Sequence, residues 1–89
     1  MINYFIPQGS NTDLRINSVK KHIKCTDCKH MKMDISKLNA MEASKIAILC
    51  STTHYLKYPQ GTVDCIVKSK SIVDLIKPLI LKNMKFKVK

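Results

Sequence analysis

The sequence predicts a two-layer α/β sandwich, with three helices on one face of a four-stranded, largely parallel sheet. Three observations point there. Apolar spacing alternates along the chain between period two and helical, as β-α-β-α-β-α-β, and such alternation implies a parallel sheet. Two strands show a clean in/out pattern: Met31, Met33 and Ile35 against Lys32 and Asp34, and Met84, Phe86 and Val88 against Lys85, Lys87 and Lys89. One sheet face is therefore wet, and the helices belong on the other. Right-handed crossovers that stay on one face place the strands in the order 1-2-3-4. With 89 residues, the whole chain, 1–89, is read as a single domain.

Each element has its own signal. Ile2 to Ile6 is short, apolar and aromatic, and stops at Pro7, as a strand does. Pro7 to Asn11 is turn-forming. Thr12 or Asp13 is placed to cap a helix reaching Lys24, with Ile16, Val19 and Ile23 on one face and Arg15, Lys20, Lys21 and Lys24 on the other. Met31 to Ile35 is the second strand. Asn39 is a good N-cap for a very apolar helix from Ala40 to about Thr53, expected to be largely buried. Tyr58 to Gly61 is a turn, and Val63 to Val67 the third strand. Ser71-Ile72-Val73-Asp74 has capping-box form and opens a short helix, Ile72 to about Lys77, limited by Pro78. Met84 to Val88 closes the sheet.

Sixteen Lys and Arg oppose six Asp and Glu, a net +10. Arg15 is the only arginine. The cations fall in two zones. One holds Arg15, Lys20, Lys21, Lys24, Lys29 and Lys32. The other holds Lys77, Lys82, Lys85, Lys87 and Lys89. Such a chain either wears a solvated lysine surface or meets a polyanion. The few aromatics, Tyr4, Phe5, Tyr55, Tyr58 and Phe86, are not interleaved with the basic runs, which argues against single-strand stacking. No apolar run spans a bilayer, and the N-terminal residues have neither a basic start nor a long apolar stretch. A soluble cytoplasmic protein with no membrane partner is expected.

Cys25-Thr26-Asp27-Cys28, with His30 nearby, has the spacing of a zinc knuckle or a redox pair. A structural zinc needs a second close pair, and Cys50 and Cys65 sit fifteen apart inside apolar segments. They read as small core residues. A redox CxxC opens a helix after a strand; this one follows a helix and precedes a strand. Ordinary reduced thiols are expected, with no metal and no cofactor. His54, near the end of the apolar helix, is placed to interact with the dipole when protonated. The polar run Cys50 to Tyr55 offers either a small pocket or C-terminal hydrogen bonds. No triad, carboxylate pair or Gly-rich phosphate loop stands out, so an enzyme is not expected.

The stretch Met33-Asp34-Ile35-Ser36-Lys37-Leu38-Asn39-Ala40-Met41-Glu42-Ala43-Ser44-Lys45-Ile46-Ala47-Ile48-Leu49 resembles the central signature of STAS domains, the family of anti-sigma factor antagonists. Asp34-Ile35 matches the strand end, and Leu38 and Met41 the loop apolars. Glu42 stands at the signature Asp and Ser44 at one of two hydroxyl positions. Ala43 takes the other hydroxyl position and Lys45 the place of a Gly. The resemblance extends over residues 31–88. It implies a regulatory, protein-interaction module of a bacterial kind, contacting a protein partner such as an anti-sigma-type kinase through Ser36, Asn39, Met41, Glu42, Ser44 and Lys45. Ser44, and more weakly Ser36, is then the hydroxyl open to phosphorylation. The alternative is a nucleic-acid-binding domain using Arg15, Lys20, Lys21 and Lys24 of the first helix with Lys85 and Lys87 of the last strand. Nothing in the sequence fixes the oligomeric state.

Overall fold

The computed structural model describes residues 3–89. The elements run β1 (Asn3–Phe5), α1 (Thr12–Cys25), β2 (His30–Asp34), α2 (Ala40–Lys57), β3 (Thr62–Val67), α3 (Lys70–Ile76), a 3-10 turn (Lys77–Leu79) and β4 (Met84–Val88). The strands form one sheet in the order β1-β2-β3-β4, with every pairing parallel. Architecture and order are those the sequence predicts. Ile2, assigned to the first strand, lies outside the described residues.

The inner face of the sheet supplies Met31, Met33, Val63, Cys65, Val67 and Met84 to the core. The helices meet it with Val19 and Ile23 from α1, with Ala43, Ile46, Ala47 and Cys50 from α2, and with Ile72 and Ile76 from α3. Each fully buried aliphatic side chain contributes roughly 1.5–3 kcal/mol. Among the described residues, no helix covers the outer face. There Tyr4, Lys32, Asp64 and Lys85 stand side by side across all four strands.

Several boundaries differ from expectation, each for a local reason. Asn11, not Thr12 or Asp13, caps α1: its side chain accepts from Leu14 N at 2.9 Å. Thr12 is free for another task, because its hydroxyl donates to Glu42 Oε2 at 3.0 Å. Helix α2 runs on to Lys57, past the expected end near Thr53. Two threonines lower helix propensity by only a few tenths of a kcal/mol each. The chain leaves the helix at Tyr58, just before Pro59, where proline disfavours helical backbone in the preceding residue. Helix α3 starts at Lys70 after Ser69. Ser71 is therefore inside the helix and pairs with the Ser69 hydroxyl at 2.8 Å, so the capping box does not form. The expected cap at Asn39 is present, accepting from Glu42 N at 2.9 Å.

Candidate functional site

In a parallel sheet the β–α loops gather at the carboxyl ends of the strands, and helix N-termini gather with them. Here the loops after β1 and β2 form one rim. The β2–α2 loop is shaped by Asp34. Its Oδ1 accepts from Ser36 N at 2.9 Å and from the Ser36 hydroxyl at 2.6 Å. Its Oδ2 accepts from the Tyr4 hydroxyl at 2.8 Å. Burial alone would raise this carboxyl, but the two Ser36 donors, the Tyr4 hydroxyl and the Lys89 charge together hold it below the usual carboxylate range. The Tyr4 phenol is pushed up in return.

Across the rim, Glu42 in the first turn of α2 joins the two helices. It accepts from Thr12 and forms a salt bridge with Arg15. Both partners are about three-quarters covered, at 22% and 25% side-chain exposure. Between the loops lies a cavity of about 230 Å³ lined by Ile6, Pro7, Gln8, Gly9, Arg15, Asp34, Ile35, Lys37 and Leu38.

The structure gathers most of the residues singled out by the STAS-like stretch. Asn39 caps α2, Met41 beside it is 68% exposed, and Lys45 is exposed one turn on. Ser44 is half-buried, and its hydroxyl donates to Met41 O at 2.9 Å. Ser36 is different: it is 8% exposed with its hydroxyl committed to Asp34. Ser44 is the more accessible of the two.

The basic candidates divide. Lys20 and Lys24 flank Leu56 and Lys57 in the groove between α1 and α2. Lys21 lies beside Phe5 and His22, toward the β1 edge. Lys85 and Lys87 lie on the outer sheet face with Lys32. The helix layer and the sheet separate these sets. Arg15, the sixth member, is held at the rim by Glu42. One surface therefore cannot use all six at once.

The opposite rim, at the amino ends of the strands, holds the remaining candidates. His54 is fully buried, and its Nε2 lies 2.7 Å from Cys28 O. A carbonyl opposite requires Nε2 to carry the proton. Burial pushes the imidazole pKa down against the contrary pull of the Cys28 and Lys29 backbone. The ring is a neutral hydrogen-bond donor, and the expected charged partner of the helix dipole is not what forms. Ser51, also buried, accepts from Leu81 N at 3.0 Å and donates to Asn83 Oδ1 at 2.8 Å. Within the polar run at the end of the apolar helix, Ser51 and His54 act as pins, while Tyr55 lines a shallow cleft with Pro59, Gly61 and Asn83. Cys50 and Cys65 are core residues, as expected, and burial pushes the Cys50 thiol up to about 12. Cys25 is exposed while Cys28 is buried, so they do not present a pair of accessible thiols. Among the described residues, no three His, Cys, Asp or Glu side chains lie close enough to hold a metal ion, and no helix is long and apolar enough to cross a membrane.

Sequence reasoning missed the Arg15–Glu42–Thr12 junction. Its partners are 27 and 30 residues apart, beyond any local spacing rule. The one available hint was a lone arginine in the first turn of a lysine-rich helix. No protein-family model, curated protein or solved structure matches the chain.

Proposed function

We propose that the chain is a small, non-catalytic cytoplasmic interaction module of the STAS-like kind, docking a protein partner on the first turn of α2 and the loops beside it. The observation that carries this reading is the placement of Met41. It is a large apolar side chain left 68% exposed on a capped helix start, with Glu42 fixed beside it by Arg15 and Thr12. Exposed apolar groups surrounded by oriented polar ones are the usual anatomy of a contact surface. The partner's class follows from the resemblance: an anti-sigma-type kinase. Phosphate on Ser44 would add about −1.5 to −2 charges in the first turns of α2 and disturb that contact.

The test is affinity purification of the tagged chain from its host at low salt, repeated with S44D, K45E and M41A. A stoichiometric protein partner whose binding weakens roughly tenfold or more with M41A, while the variants keep their fold, is the expected result. An identified partner indifferent to all three substitutions refutes the assignment.

A second reading has its own observation. Lys32, Lys85 and Lys87 share the uncovered outer face, and Lys89 reaches Asp34 electrostatically from the same side. On β4, alternate lysines recur about every 6.6 Å, a repeat suited to a polyanion. Nucleic acid bound here would dissociate steeply with salt, and K85Q with K87Q would flatten that dependence. Unchanged behaviour in that pair rejects the sheet face as the contact.

A further inference from the structure

The cavity between the first two β–α loops is not required by the docking surface proposed above, and its lining has a definite chemistry. Ile6, Pro7, Ile35 and Leu38 give it apolar walls; Arg15 and Lys37 give it two cations. Its single acid, Asp34, is ionised but has its oxygens engaged by Ser36 and Tyr4, so the two cations outnumber it. Gly9 lines it with φ at 138°, a conformation L side chains rarely adopt, so the backbone itself forms part of the wall. The cavity opens at the carboxyl ends of two adjacent parallel strands, between the loops that follow β1 and β2.

Arg15 connects this cavity to α2. Its Nη1 meets Glu42 Oε2, but a guanidinium has five donors in a planar fork. An anion in the cavity can therefore draw on the same side chain that Glu42 holds.

We propose that this cavity binds a small organic anion, a carboxylate or phosphate on an apolar body about one ring in size, and that the ligand competes with Glu42 for Arg15. The head meets Arg15 and Lys37, and the body lies against Ile35, Pro7 and Leu38. At about 230 Å³ the space is below the ordinary range for drug-sized ligands, roughly 300–1,000 Å³, which sets the size class. Occupancy loosens Glu42 in the first turn of α2. The consequence that this tunes partner docking rests on the proposed function; the binding site itself does not.

The experiment is a two-dimensional amide NMR titration of the whole chain at fixed ionic strength. Benzoate and phenyl phosphate are the probes, with inorganic phosphate as the bare head group. The expected result is saturable shifts centred on Gly9, Ile35 and Leu38, with both ring-bearing anions binding roughly tenfold more tightly than inorganic phosphate. R15Q weakens binding about tenfold. K37Q, at an exposed position that leaves the fold intact, weakens it several-fold. E42Q strengthens it, because Arg15 is no longer shared. K24Q, outside the cavity, leaves it unchanged. Shifts that fail to saturate overturn the site. So do shifts spread over the lysines or unmoved by K37Q and R15Q, and inorganic phosphate binding as tightly as the ring-bearing probes overturns the ligand class. None of these readouts needs a protein partner, so failure here and failure to find a docking partner are separate results.

Discussion

The two rims of the sheet put their polar groups to opposite uses. At the amino-end rim side chains of α2 are tied to distant partners, with His54 and Ser51 fully buried, Lys57 exposed, and only the His54 Nδ1 atom buried without a partner among the described residues. His54 reaches Cys28 O, Ser51 holds Leu81 and Asn83, and Lys57 Nζ donates to Ile23 O at 2.6 Å and Lys24 O at 3.0 Å. At the carboxyl-end rim, the caps and the Arg15–Glu42 bridge are only partly covered, an exposed methionine stands among them, and a cavity opens between them. A buried polar group must be satisfied or it costs about 1–3 kcal/mol. A half-exposed one has water as an alternative and can change partners cheaply. The amino-end rim is suited to stability, and the carboxyl-end rim to contact.

The largest effect that should separate the rims is at Gly61. It is buried at the start of β3, and an added Cβ would overlap the Lys29 carbonyl oxygen and stand 2.7 Å from His54 Cε1 and 2.9 Å from Tyr58 Cβ. Backbone on one side, and a buried imidazole edge and the Tyr58 Cβ on the other, leave little room to give. G61A is expected to lower unfolding free energy by about 3 kcal/mol, read as a reduced urea midpoint at unchanged slope. A change under about 0.5 kcal/mol would mean the turn before β3 is softer than its packing implies. Next comes S51A. Removing that hydroxyl leaves the Leu81 N–H without its acceptor and removes one of two bonds to Asn83, whose Nδ2 still donates to Ser51 O. About 2 kcal/mol is expected, with faster amide exchange concentrated at Leu81 and Asn83.

The layers and the strand order were legible in the sequence because burial here follows period. The strand reading MKFKV from Met84 to Val88 has its observed boundaries, since alternating lysines cannot sit on a core face. Helix ends were less legible, because Asn11, Thr12 and Asp13 are all competent caps and only the demand of Glu42 for the Thr12 hydroxyl decides among them. The site was legible as a stretch and not as a junction. Asn39 to Lys45 is proposed from a resemblance and a cap, of which the cap is present, whereas the arginine bonded to Glu42 comes from another helix. His54 was misread for a related reason: its position in the last turn of α2 suggests dipole interaction, but the facing Cys28 carbonyl and the depth of burial are tertiary facts.

That misreading supplies a pH test of the comparison. The folded pKa of His54 lies below its ordinary value near 6.5, so the unfolded chain takes up a proton that the folded chain refuses. The stability it contributes is complete above about pH 6.5 and is lost as pH falls toward the folded pKa. Burial lowers His22 as well, and its effect has the same sign. The carboxyl-end rim responds in the same direction, but only in stronger acid. Asp34 is held below the usual carboxylate range, so its contribution persists above about pH 4 and fades as pH drops through its folded pKa. Urea midpoints should therefore fall between pH 7 and pH 5, and H54F should flatten that slope while D34N leaves it unchanged. A wild-type midpoint flat from pH 7 to pH 5 would refute the buried, neutral histidine.

The smallest effect belongs to the carboxyl-end rim. N39A removes a cap whose side chain accepts from Glu42 N, and about 1 kcal/mol is expected. E42Q keeps the shape of the side chain and the Thr12 contact but discharges the bridge to Arg15, which is partly screened by water; about 0.5 kcal/mol is expected. Both should unfold with the wild-type pH profile between pH 7 and pH 5, because neither touches the buried histidine. If E42Q instead costs as much as S51A, the bridge is part of the stabilising frame. Glu42 would then be too firmly held to exchange Arg15 with a ligand, and the division of labour between the rims would fail at the residue that joins the helices.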